Sequence, residues 1–179
     1  VGGFRLLAGV RVFRSMLNPS NIPAAGGDDV GVSHFYANLY VHLVWSTTNR
    51  APLISDRQAP RLHRRLAMLV AREHSEALAV GGVADHVHLL VALHPAVAVS
   101  TLVRVLKANT SQWFRAEAHV DAFSWQEGYG VFSLCREDIE AVRQYVLRQP
   151  ERHATKDTFD AWEYSQSPPC GIPATRNPP

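Results

Sequence analysis

The sequence has little cysteine: two residues, Cys135 and Cys170, stand far apart and form no C-x-x-C pair. That excludes a disulfide framework and a cysteine zinc knuckle, and makes a reducing cytoplasm the expected setting. Long apolar runs are missing as well. None comes near the length of a membrane-spanning helix, about 20 residues, so no membrane partner is expected. Neither sign of charge dominates, since 18 Lys and Arg face 16 Asp and Glu for a formal net charge of +2. Nucleic-acid binding would then rest on local clustering of cations, not on overall excess. No internal repeat is present. What is there reads as globular, with 46% hydrophobic and 19% charged residues. A length of 179 residues suits one full domain with a proper core, not two.

Acidic residues are absent before Asp28, while Arg5, Arg11 and Arg14 precede Asn18, Pro19, Pro23, Gly26 and Gly27. Organelle-targeting peptides share that arginine-bearing, acid-poor composition. A translated upstream leader is the duller reading and the preferred one. Residues 1–33 are therefore expected to be a leader, disordered or a non-native extension, ahead of a domain over 34–163. Residues 164–179, rich in proline and polar side chains, are expected to form a disordered tail.

Between these ends the periodicity changes in a definite order. From Tyr36 to Ser46 the residues alternate, with Leu39, Val41, Leu43 and Trp45 on one face and Tyr40, His42 and Val44 on the other. Thr47 to Pro52 breaks this strand. Asp56 is a candidate N-cap for a helix to about Ser75, with Pro60 tolerable in its first turn. Leu62, Leu66, Leu69 and Val70 face inward on it, and Arg61, Arg64 and Arg65 outward. Leu78–Val83 and His86–Leu93 read as two strands joined at Ala84 and Asp85. Ser100 is a candidate N-cap for a second helix to about Ala118. Residues 125–134 form a glycine-punctuated turn entering a strand, and a third helix runs from about Arg136 to Gln149, stopped by Pro150. Ile139, Val142 and Val146 make its inward stripe. The first six elements match an α+β, ferredoxin-like (split βαβ) arrangement, an antiparallel sheet with helices on one side. The His86 strand would then lie inside the sheet, with its second face free to build a site.

Two pairs of residues carry candidate chemistry. His86 and His88 share one face of an extended strand, while Val87, Leu89 and Val91 share the other. Imidazole suits divalent metals, although a structurally satisfied histidine pair meets the same spacing. Tyr145 and Gln149, four residues apart, are neighbours on the third helix. A tyrosine hydroxyl can attack phosphorus and hold the phosphodiester energy in a covalent link for later rejoining. A metal would polarise the phosphoryl oxygens, and a glutamine oxygen one turn along could be a third ligand. The plain alternative is an interfacial tyrosine with its ring packed and its hydroxyl wet. On the second helix, Arg104, Lys107, Ser111 and Arg115 form a basic, hydroxylated stripe, which taken alone is more often a solvated helix face than a binding surface.

These residues sit within longer motifs. The runs Asp85-His86-Val87-His88-Leu89-Leu90-Val91, Trp125-Gln126-Glu127-Gly128-Tyr129-Gly130-Val131-Phe132-Ser133 and Tyr145-Val146-Leu147-Arg148-Gln149 occur in that order. Together they resemble the single-tyrosine HUH transposases of small insertion sequences that move as single-stranded DNA. Residues 43–53 and 106–113 look similar to that family as well, so the likeness spans roughly residues 33 to 163. The resemblance implies that His86, His88 and Gln149 hold Mg²⁺ or Mn²⁺ and that Tyr145 is the catalytic nucleophile. Attack on DNA would leave a 5′-phosphotyrosine bond and a free 3′-hydroxyl, which then joins a second junction. It further implies a homodimer, in which the tyrosine helix of one subunit can complete the histidine site of the other. The partner would be single-stranded DNA with subterminal hairpins, contacted through Arg104, Lys107 and Arg115.

Three rivals stand beside it. A domesticated hairpin-specific single-strand endonuclease of the same family would share every residue named. A histidine-dependent nucleotide hydrolase would want a third alternating histidine where Leu90 stands. A non-catalytic nucleic-acid-binding ferredoxin-like module would want stacking aromatics on its open sheet face, where Leu90 and Ala92 are found.

Overall fold

The computed structural model describes residues 37–163. The proposed leader and the proline-rich tail lie outside the described residues. Four strands form one antiparallel sheet: β1 (Tyr40–Ser46), β2 (Glu76–Val83), β3 (His86–Ala92) and β4 (Gly130–Leu134). Their order across the sheet is β2-β3-β1-β4. This is the split βαβ topology expected from the order of elements, and β3 does lie inside the sheet. β1 starts at Tyr40, where Ala92 of β3 and Leu134 of β4 supply its first ladder partners, and residues 37–39 precede it; Tyr36 lies outside the described residues.

Helices α1 (Ala59–Arg72) and α2 (Val99–Ala116) cover one face of the sheet. Leu62, Leu66, Leu69 and Val70 of α1 meet Leu102, Leu106 and Phe114 of α2 over Val41, Leu43, Trp45, Val87, Leu89 and Val91. Alternation on β1 and β3 thus points one set of side chains into this core and the other set away from it. Both helices start away from the expected caps. Gln58 precedes α1 and places Pro60 in its first turn, where a missing N–H costs nothing. Ala98 precedes α2, so Ser100 lies inside the first turn. Among the described residues no helix is long and apolar enough to cross a membrane.

The second sheet face, expected to be free, is instead covered. Helix α3 (Ile139–Leu147) lays Val142 and Val146 against Ala79 and Leu90. Contact is close enough that a Cβ on Gly81 would lie 1.9 Å from the carbonyl oxygen of Val146. The expected single helix to Gln149 is also corrected. Arg148 leaves helical geometry at φ −98° and ψ 17°, and Gln149 opens a new helix, α4 (Gln149–Thr155). Pro150 does not stop a helix here; it sits in the first turn of one, the position its ring tolerates. A last short helix, α5 (Asp160–Glu163), follows.

Candidate active site

His86 and His88 lie on the covered second face, with His86 1% exposed and His88 fully buried. Buried imidazoles need partners for both ring nitrogens. For His86, Nδ1 stands 2.6 Å from Asp85 Oδ1, and Asp85 in turn accepts from Arg50 Nε at 2.9 Å. Burial opposes the charge on Asp85, but the bonds from His86 and Arg50 outweigh it and hold its carboxyl at about 2. A carboxylate at that distance puts the proton on Nδ1 and turns the Nε2 lone pair inward. Burial works against charging His86, yet Asp85 and Glu163 prevail and raise its pKa.

His88 is oriented by a different neighbour. Its Nδ1 stands 2.9 Å from Nε2 of His42 on β1, with the two rings nearly parallel at 13°. Burial, reinforced by the adjacent imidazoles, lowers the pKa of His42 well below its ordinary value and that of His88 to about 4. His88 therefore stays neutral at neutral pH. Its Nε2 is buried and finds no hydrogen-bond partner among the described residues. An orphaned imidazole lone pair beside a second one is what a metal ligand pair requires.

α3 brings Tyr145 to this pair from within the same chain. Its ring meets His88 edge-on with centroids 5.8 Å apart. The hydroxyl donates a short hydrogen bond to Glu163 Oε1 and accepts the Phe159 N–H at 3.2 Å. Burial first, and then Glu163, push its pKa up. A cleft of about 340 Å³ reaches Tyr145 from outside and is lined by Arg152, Thr158, Phe159 and Trp162 among others. The Arg152 guanidinium carbon lies 4.9 Å from the centre of the tyrosine ring.

The break before α4 does not separate Gln149 from Tyr145. Gln149 is fully buried, with Oε1 3.4 Å from His86 Nε2. His86, His153 and Glu163 also present ligand atoms all within 4.8 Å of one another. His86 and Glu163 are buried there, and His153 is partly exposed. Imidazole nitrogens, a carboxamide oxygen and a carboxylate oxygen so placed are a donor set that fits a divalent ion.

The whole arrangement can be set against known proteins. A family model described as "Transposase IS200 like" matches residues 35–149, well over half of the chain. The chain belongs to the IS200-like transposase family. Two solved structures share the fold. One is a candidate transposase from Deinococcus radiodurans R1, at 24% identity and a TM-score of 0.53, covering 63% of this chain and 91% of that one. The other is a REP-associated tyrosine transposase bound to a REP hairpin, at 16% identity and a TM-score of 0.52, covering 67% and 71%. No protein with a curated description matches.

In this transposase the structure brings together four of the residues singled out from sequence: His86, His88, Tyr145 and Gln149. The cationic stripe stands elsewhere, on α2 across the sheet from the imidazoles. Arg104 is exposed there. Arg115 donates to the Phe123 carbonyl at 3.2 Å. Lys107 donates to the carbonyls of Gln126, at 2.9 Å, and of Gly128, and burial lowers its pKa to about 8. Its ammonium thus ties α2 to the loop entering β4. Sequence reading missed His42, His153 and Glu163. His42 was legible as a residue facing away from the apolar stripe of β1, but its contact with His88 depends on strand pairing. His153 and Glu163 lie beyond the matched span, on short helices with no apolar period to place them.

Proposed function

We propose that this transposase cleaves and rejoins single-stranded DNA through a 5′-phosphotyrosine intermediate on Tyr145. The observation that carries the reading is the meeting of Tyr145 with His86, His88 and Gln149 inside one chain. His86 and His88 present Nε2, and Gln149 presents Oε1, to hold Mg²⁺ or Mn²⁺. When bound, such an ion supplies Lewis-acid polarisation of the phosphoryl oxygens. Tyr145 gives its hydroxyl proton to the Glu163 carboxylate it already bonds, and its oxygen bonds to phosphorus while the P–O3′ bond breaks. O3′ takes up a proton from solvent. The 5′ end stays on the enzyme, and the other end leaves as a 3′-hydroxyl. That hydroxyl attacks the phosphotyrosine of a second junction in the reverse sense, so no external energy is needed for joining. A strand filling the cleft would keep water from the tyrosine and so favour rejoining over hydrolysis.

DNA reaches Tyr145 by way of the cleft beside Arg152, whose guanidinium pairs with Asp157 at 3.0 Å and lies over the tyrosine ring. Arg104 and Arg115, with Lys107 fixing the loop beside them, position more distant phosphates of a hairpin. The REP-hairpin complex of a protein with the same fold supports hairpin DNA as the substrate class. The working form is a homodimer acting in the cytoplasm, with Tyr145 placed as in the single chain. The test is incubation with hairpin-bearing single-stranded DNA and Mg²⁺ or Mn²⁺, followed by denaturing electrophoresis. A protein–DNA adduct should form, and should vanish with chelator, with His86→Ala and with Tyr145→Phe. An adduct that survives Tyr145→Phe overturns the nucleophile assignment.

A further inference from the structure

We infer that Glu163, outside the span shared with the family model, is a ligand of the same metal ion and at the same time the anchor of the Tyr145 hydroxyl. The inference rests on the reading of His86, His88 and Gln149 as a metal site. Its starting point is where α5 puts the carboxylate. Glu163 is 8% exposed and stands at the centre of the constellation. Its Oε2 lies 3.1 Å from His86 Nε2, 3.6 Å from His88 Nε2 and 3.3 Å from His153 Nε2. Its Oε1 accepts from the Tyr145 hydroxyl and, at 3.5 Å, from Gln149 Nε2.

Proton bookkeeping on these atoms decides what the carboxylate is for. Asp85 accepts the Nδ1–H of His86. That leaves Nε2 to share a proton with Glu163 when no ion is bound, and to turn its lone pair to an ion when one is. Facing that nitrogen at 3.1 Å is the Glu163 carboxylate, a partner for the proton or for the ion that replaces it. At 3.6 Å the contact to His88 Nε2 is too long for a hydrogen bond, and that nitrogen has no hydrogen-bond partner among the described residues. Adjacent ligands of an octahedral ion bound at about 2.1 Å stand roughly 3 Å apart. The separations of 3.1, 3.4 and 3.6 Å are close to that spacing.

Charge points the same way. Two neutral imidazoles and a carboxamide bring no negative charge to a dication. Hard ions such as Mg²⁺ and Mn²⁺ favour anionic oxygen, which Glu163 alone among these converging ligands supplies. With one oxygen on the ion and the other on the hydroxyl, Glu163 fixes the distance between the ion and Tyr145. His153 Nε2 bonds to Oε2 and steadies the carboxylate from the α4 side.

The test is Mn²⁺ binding by calorimetry to the full chain without DNA, comparing wild type, Glu163→Gln and His86→Ala. Glu163→Gln should weaken binding by about ten- to a hundredfold while circular dichroism stays unchanged. If Glu163→Gln binds Mn²⁺ as tightly as wild type or tighter while His86→Ala loses it, Glu163 only closes over the ion's place. The inference then falls and the histidine reading stands. If His86→Ala keeps full affinity, the metal site itself is wrong and both fall. A second measurement needs no substitution: pulsed ENDOR on Mn²⁺ bound to wild-type protein carrying ¹³C-carboxyl glutamate. Coupling to a carboxylate carbon is expected, and its absence overturns the inference.

Discussion

Asp85 and His42 sit behind the two imidazoles, one holding Nδ1 of His86 at 2.6 Å and the other holding Nδ1 of His88 at 2.9 Å. Neither would touch a bound ion. Each decides which nitrogen of its histidine carries the proton and how the ring is turned, and such partners commonly govern metal affinity by about ten- to a hundredfold. Asp85→Asn and His42→Phe should therefore each weaken Mn²⁺ binding in that range, as read by calorimetry. His42→Phe keeps a ring in place but strands the buried Nδ1–H of His88, at a cost of about 1–3 kcal/mol in denaturant unfolding. Unchanged Mn²⁺ affinity in both variants would show that the rings are held by packing alone. At this scale the sequence was half legible. The x-His-x-His alternation placed His86 and His88 on one face, and the Asp85 neighbour was in plain sight. The role of His42 was not, because it arises from a diagonal contact between paired strands that no single strand's pattern encodes.

At the scale of elements, Tyr145 and Gln149 meet by a different route from the one their spacing predicts. Spacing of four placed them on one face of a continuous helix, whereas the chain breaks at Arg148 and starts again at Gln149. Both side chains still converge, because the break turns the first residue of α4 toward His86. Pro150 has two opposite meanings in a sequence, since the same ring that stops a helix from within begins one at its first turn. Docking of α3 depends on Gly81, where β2 and the helix backbone come together. Gly81→Ala would drive a methyl into the Val146 carbonyl and lever α3 off the sheet. A loss of about 1–3 kcal/mol or more is expected in urea unfolding, with loss of the DNA adduct, because α3 carries Tyr145. Wild-type stability in that variant would mean that α3 does not pack on β2 as described.

At the scale of the whole domain the sheet divides two tasks. α1 and α2 close one face into a continuous apolar core, and α3, α4 and α5 enclose the polar constellation on the other. Strand alternation and helical stripes made the first half readable: the order of elements, the inner place of β3 and the apolar faces of α1 and α2 all follow from local periods. The second half resisted because α4 and α5 are short and their placed residues, His153 and Glu163, are polar. Their positions come from tertiary packing rather than from a repeating pattern. The cations of α2 belong to the first half, remote from the chemistry, which suits a role in holding DNA rather than in cutting it. What unites the halves is the claim that one tyrosine, carried to the histidine strand by α3, takes the DNA end. The most direct test is to trap the adduct on end-labelled hairpin DNA, digest the protein and sequence the labelled peptide by mass spectrometry. The nucleotide should be found on Tyr145 through its 5′-phosphate. Label on any other residue, or strand cleavage with no linked peptide, would contradict it.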